Sequence, residues 1–292
     1  MDAVLPFTSN FRQRRFIHQA HPVYDFLFTY YNLSPAKLEK WHPGFGIVVE
    51  VREADQAPEF SENPRYEKTK AGYALKLFSI TEREIKQLIW VRSLCKAILA
   101  KEPRFACFGM HEWAMVYRTP EIRHQYPLRL SAEAINRFVE ETSYCCSHFD
   151  AFRFSSPAAK SLNVIQPSAE TRLEFEQGGC IHANMDLYKW AYKLSPLISS
   201  DFLRECFTLA VTAREIDMRA SPYDFSSLGF LPIKVETVEG RAEYVRAQRQ
   251  IAAAARDLRL ALLASVEEIL SSLELEAKDN ESFVDRPSLA RA

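Results

Sequence analysis

The stretch Arg241–Ala277, RAEYVRAQRQIAAAARDLRLALLASVEEILSSLELEA, decides the fold class. Val245, Ile251, Ala255, Leu258, Leu262, Val266, Ile269 and Leu273 recur along it at helical period, with Gln248 the polar exception. One apolar stripe of this length predicts a long helix that buries a single face. Beyond it, residues 278–292 turn polar and contain Pro287, which predicts a flexible tail.

Working outward, the same period predicts helices over Asp201–Ala220 and His182–Leu194. Thr81 with Glu84 forms a capping box ahead of Ile85, Leu88, Ile89, Leu94 and Ile98, so Glu82–Ala100 is a further helix. Ser131 caps a pattern from Ala132 to about Cys145, and Ser34-Pro35 starts a short helix through Trp41. Ile47–Val51 is a short β-branched run that reads as a strand, and Tyr73–Phe78 is a second candidate. Ala54–Lys70 reads as a surface loop and Leu162–Gly179 as a long irregular connection. No internal repeat or low-complexity linker divides the chain. The expectation is a mainly α protein: a single helical domain over residues 1–277 with a small β element near residues 45–80.

The 37 basic and 38 acidic side chains nearly cancel, so the molecule as a whole has no long-range attraction for nucleic acid or acidic membranes, although a local basic groove is compatible with that balance. Only 8 glycines leave little material for glycine-built phosphate loops. Six cysteines without a CxxC pair or a secretory segment read as buried thiols, Cys145 and Cys146 included. No apolar run reaches the ~20 residues that span a bilayer, so the expected location is cytoplasmic and no membrane partner is expected.

Four clusters set ionisable groups among large apolar ones. In the first, HPVYDFLFTYY (21–31), a helix after Pro22 brings His21 within reach of Asp25. The second, FGMHEWAMVYR (108–118), holds His111 and Glu112 in an apolar run where an unpaired carboxylate is costly, so a partner is implied: structural, such as Arg118 or Arg129, or functional. Met115 stands where a zinc-protease motif needs its second histidine. The third, HANMDLYKW (182–190), puts His182 and Asp186 on one helical face with Lys189 and Lys193, which suits either metal ligation or an ordinary Asp–Lys pair. If the first and third helices packed together, His21, Asp25, His182 and Asp186 would offer four ligands to a divalent metal. The fourth, REIDMRASPYD (214–224), reads as an exposed, salt-bridged helix end, or as charges projecting into a pocket given the apolar stretch Phe202–Val211 before it.

The strings HPVYDFLFTYY, LSPAKLEKWHPG, CFGMHEWAMVYR, SHFDAFRF, HANMDLYKWAYKLSP, REIDMRASPYDF and VETVEGRAEYVRAQR, in this order, resemble a family of bacterial proteins that carry the name 3-methyladenine DNA glycosylase. The likeness runs from about residue 18 to residue 255 and contains no helix-hairpin-helix. It implies a hydrolase of DNA repair that cleaves the N-glycosidic bond of alkylated purine, with alkylated DNA as partner and no cofactor. Under that reading Glu112 and Asp186 are the candidate carboxylates, with His111 beside them. Trp113, Tyr117, Tyr188 and Trp190, with Arg219 and Tyr223, are the candidates to hold the cationic base, each cation–π contact adding about 0.5–2 kcal/mol. Two other classes stay open: a metal-dependent helical enzyme acting on a small molecule, and a binding or structural protein whose polar clusters satisfy one another.

Overall fold

A computed structural model describes residues 3–52, 57–120, 122 and 124–284. Its α-helices are α1 (Leu5–Phe16), α2 (Phe26–Thr29), α3 (Pro35–Leu38), α4 (Glu82–Leu99), α5 (Met110–Val116), α6 (Ala132–Glu141), α7 (Phe149–Phe152), α8 (Arg172–Phe175), α9 (Ile181–Leu194), α10 (Ser200–Arg219) and α11 (Val238–Val284). Among the described residues the only sheet is an antiparallel pair, β1 (Tyr66–Lys68) with β2 (Tyr73–Leu75), in which Glu67 faces Ala74. The protein is therefore mainly α. No helix among the described residues is long and apolar enough to cross a membrane.

Helices α4, α6 and α10 begin where a side chain satisfies an orphaned backbone N–H group. At α4 the Thr81 hydroxyl accepts from the Glu84 N–H while the Glu84 carboxylate accepts from the Thr81 N–H, the reciprocal box expected from the sequence. The Ser199 and Ser131 hydroxyls cap α10 and α6 one-sidedly, accepting from the Phe202 and Ala134 N–H groups. α11 buries Ile251, Ala255, Leu262, Val266 and Ile269 along its stripe, and packs against α4, α9 and α10. It runs on to Val284, into the segment expected as a flexible tail; residues 285–292 lie outside the described residues.

α9 and α10 are joined by a short connection and pack closely as an antiparallel hairpin, so the start of α9 meets the end of α10. α9 is the central helix. It is buried on nearly every side, yet carries His182, Asn184, Asp186 and Lys189. Such a helix is ordinarily apolar all round, because each unpaired buried polar group costs roughly 1–3 kcal/mol. One core cluster surrounds it with residues of the N-terminal segment, α4, α10 and α11. A second gathers Met110, Trp113, Ile135, Met218, Tyr223 and Tyr244 around α5 and α6.

Several expected elements are shorter than their patterns. The segment after Pro22 is helical only over α2, and α3 stops at Leu38 rather than Trp41. Ile47–Val51 contributes a single bridge, Val49 to Tyr73, rather than a strand. Gly72, at φ +144°, permits that approach: a Cβ there would meet the Val49 carbonyl oxygen at 2.1 Å. Ala54–Lys70 carries β1 and a 3-10 turn over Glu59–Glu62 instead of an open loop, its residues 54–56 lying outside the described ones. α6 ends at Glu141 because the Asn163 side chain claims the backbone further on. Its amide accepts from the Cys146 N–H at 2.7 Å and donates to the Cys146 carbonyl at 2.9 Å, drawing that residue out of helix. The connection 162–179 includes the single turn α8.

Candidate metal centre

The meeting of α5 with the two ends of the α9–α10 hairpin brings three ligand-type side chains together. His111, His182 and Asp217 each offer a ligand atom, and these atoms lie within 4.8 Å of one another. All three residues are buried. The His111 and His182 rings meet edge to face with centroids 4.4 Å apart. His111 Nε2 lies 3.0 Å from Asp217 Oδ1, and His182 Nε2 lies 3.8 Å from Asp217 Oδ2.

The backbone delivers His111 through a tight left-handed turn. Phe108 sits at φ 51° and Gly109 at φ 74°, and Gly109 forms the N-cap of α5. A Cβ on Gly109 would lie 3.3 Å from the Ala220 Cβ, so the close approach of α5 to the end of α10 favours glycine there. His182 and Asp217 fall opposite one another because α9 and α10 are antiparallel.

Charge around this triad is nearly balanced. Arg214, one turn before Asp217, has Nη1 3.4 Å from both Glu112 Oε1 and Asp217 Oδ2, while Nη2 donates to the Pro22 carbonyl at 3.2 Å. Its guanidinium also lies 4.0 Å over the Phe26 ring. Burial opposes ionisation at Asp217, but His111, His182 and Arg214 outweigh it and hold the carboxyl well below the usual range. Burial likewise lowers the His111 pKa, yet Asp217 and the Cys107 sulfur, 3.5 Å from Nδ1, raise it well above the ordinary value. At His182 burial and the charge on His111 act together, and its pKa falls well below normal.

A second polar group continues from the first. The His148 ring stacks on His182 at 5.6 Å, and its Nε2 lies 3.3 Å from Asp186 Oδ2 and 3.7 Å from Glu176 Oε1. Asp150 completes a second set of three ligand-type groups with His148 and Asp186. Here, however, cations are already in place: Lys189 is bonded to Asp186, and Arg172 lies 2.5 Å from Asp150 and 3.2 Å from Glu176. Burial raises the Asp186 pKa, but Lys189 and His148 override it and hold it far below the usual carboxylate range. His148 Nδ1, Glu176 Oε2, Asp186 Oδ1 and Asp217 Oδ1 are all buried without a hydrogen-bond partner among the described residues.

His111, Glu112, His182 and Asp186 thus lie along one buried polar network, with Asp217, Arg214 and His148 as its joints. The four-ligand set suggested by the repeated His-x3-Asp spacing is divided. His21 Nδ1 accepts from the N–H groups of Val23 and Tyr24, and Asp25 accepts from the His21 N–H and binds Arg14. That pair caps a turn, while His182 groups with His111 and Asp217, and Asp186 with His148 and Asp150.

The aromatic candidates do not share one pocket. Trp113 is fully buried in the second core cluster, where its Nε1 donates to the Ala220 carbonyl at 2.9 Å. Tyr117 is buried beside it and donates to Glu140; Tyr223 packs against Phe225. Tyr188 is in the main core. Trp190 faces a basic cavity with Lys189 and Lys193 near its ring, and Arg219 binds the Leu231 carbonyl and Glu243. Of the cysteines, Cys95, Cys146, Cys180 and Cys206 are buried, but Cys107 and Cys145 are half-buried.

Sequence reasoning did not single out Asp217 or His148 as ligand-type residues. Both lie inside quoted strings, Asp217 three residues after Arg214 in a stretch already suspected of facing a pocket. No protein-family model, curated protein or solved structure matches this chain.

Proposed function

We propose that this protein is a metal-dependent enzyme acting on a small molecule, with one divalent first-row metal held by His111, His182 and Asp217. The observation that carries the reading is the convergence of two imidazoles and a carboxylate from three helices, with Asp217 Oδ1 buried 3.0 Å from His111 Nε2 and without a hydrogen-bond partner. Two histidines and one carboxylate form a ligand set used for zinc and for non-haem iron, and both uses leave coordination positions open for water or substrate. Such a metal supplies an acidified water and a Lewis acid.

The chain's own residues have definable roles in this arrangement. Cys107 orients His111 through Nδ1, leaving Nε2 toward Asp217. Arg214 offsets Glu112, so that carboxylate need not compete for the metal. His148, stacked on His182 and hydrogen-bonded to Asp186, is placed to accept a proton from a reactant at the centre. Lys189 and Arg172 make the His148 group a poor second cation site, since a metal there would have to displace both.

The test is elemental analysis of the purified chain after reconstitution with zinc or ferrous iron. About one equivalent in the wild type, lost in folded His182→Ala and Asp217→Asn, supports the reading. A folded wild type that holds no metal above background rejects it.

Base excision is the second reading. It is favoured by Asp186, a buried carboxylate held ionised one helical turn before Trp190, as stabilisation of a cationic sugar requires. Release of 3-methyladenine from alkylated DNA by wild type, Glu112→Gln and Asp186→Asn, with and without chelator, tests it; no release by the folded wild type removes it.

A further inference from the structure

The near-zero net charge conceals a local excess of cations. A cavity of about 1000 Å³ opens between α4, α9 and the segment before β1. Lys37, Arg65, Arg83, Lys86 and Lys193 line it, against the single carboxylate of Glu84. That carboxylate is engaged already, accepting from the Thr81 N–H and from Arg65 Nη1 at 2.8 Å. Lys86 pairs with Glu82 along the exposed face of α4. Among the described residues Lys37, Arg83 and Lys193 form no ion pair.

Lys37 is the most informative of the three. Its Nζ donates to the Tyr192 carbonyl at 3.1 Å and lies 4.7 Å over the Tyr192 ring, with Glu84 near enough to favour its charge but not in ion-pair contact. Burial lowers its pKa, as expected for a partly desolvated ammonium that an anion would stabilise. The remaining wall is aromatic. Trp90 from α4 and Trp190 from α9 are both half-buried at the cavity, each exposing part of its indole. Unpaired cations beside indole surface are what a ligand with both anionic and flat aromatic parts requires. The volume lies at the upper end of the ~300–1,000 Å³ range of small-ligand pockets, far more than one inorganic phosphate fills.

We propose that this cavity binds a nucleoside phosphate, with the phosphates among Lys37, Arg83 and Lys193 and the base against Trp90 and Trp190. The site is separate from the His111–His182–Asp217 centre and does not depend on the metal reading. The cap of α4 is closed by its own Thr81–Glu84 box, so side chains rather than helix N–H groups carry the recognition.

Calorimetric titration of the full chain with ATP, adenosine and inorganic pyrophosphate tests this. ATP is expected to bind, pyrophosphate more weakly and adenosine most weakly. The Lys37→Gln/Lys193→Gln double variant and Trp90→Leu should each weaken ATP binding about tenfold or more, while His182→Ala leaves it unchanged. Absence of ATP binding at millimolar concentration would overturn the proposal, as would ATP affinity unaltered in the double variant. Pyrophosphate binding as tight as ATP, with Trp90→Leu indifferent, would overturn the nucleoside assignment.

Discussion

His111 Nε2 lies 3.0 Å from Asp217 Oδ1 but hydrogen-bonds only to Oδ2, at 3.3 Å, so the nearer oxygen is buried with no hydrogen-bond partner. A metal ion ligated by both the imidazole and the carboxylate would engage that oxygen. Added zinc should therefore raise the thermal midpoint of the wild type. Saturation at about 100 times the dissociation constant corresponds to about 2.7 kcal/mol. Scanning calorimetry with and without the metal checks this, and an equal rise in His182→Ala would place the metal elsewhere.

Asp186 gives a pH-dependent prediction. Its carboxyl is held far below the usual range by Lys189 and His148, so its contribution to stability is complete above the unfolded value, ~4, and is lost as acid titrates the folded group. Asp186→Asn leaves Lys189 buried without its carboxylate and should cost about 3–5 kcal/mol at neutral pH. Urea unfolding at a series of pH values should show the gap between wild type and variant narrowing below about pH 4. A gap that widened toward acid would contradict the assignment.

Gly109 couples backbone to site. Gly109→Ala imposes a side chain at φ 74° and a contact 3.3 Å from the Ala220 Cβ, and should destabilise the protein by about 1–3 kcal/mol. Because the same turn aims His111, metal affinity should fall as well. Unchanged affinity in a destabilised variant would separate the turn from the site.

The thiols divide by burial, which pushes Cys95 up to about 11 and Cys180 up to about 12. Iodoacetamide at pH 8 should spare both in the native protein and modify half-buried Cys107 and Cys145 before them. Mass mapping of native and urea-unfolded samples reads this directly; early labelling of Cys95 would mean that α4 opens readily.

The long helices were legible in the sequence because their causes are local. Thr81 and Glu84 cap α4 within one turn, and the stripe from Ile251 to Ile269 repeats every three or four residues. Where a distant partner decided, the pattern overreached: α6 stops because Asn163 binds the Cys146 backbone, and Val49 makes one bridge because Gly72 admits its carbonyl. His21 and Asp25 share the His-x3-Asp spacing of His182 and Asp186, yet one pair closes a turn and the other lies in the central helix. Spacing records which groups share a face, not what that face meets. By itself the sequence determined a mainly α chain with costly ionisable groups inside apolar runs. Only tertiary structure decided that Glu112 pairs with Arg214 rather than Arg118 or Arg129, and that His111 meets His182 and Asp217, because antiparallel packing of α9 on α10 opposes residues far apart in the chain. Packing of α4 and the N-terminal segment against α9 sets cations from positions 37, 83 and 193 around one cavity, a concentration of charge that no count along the sequence reveals.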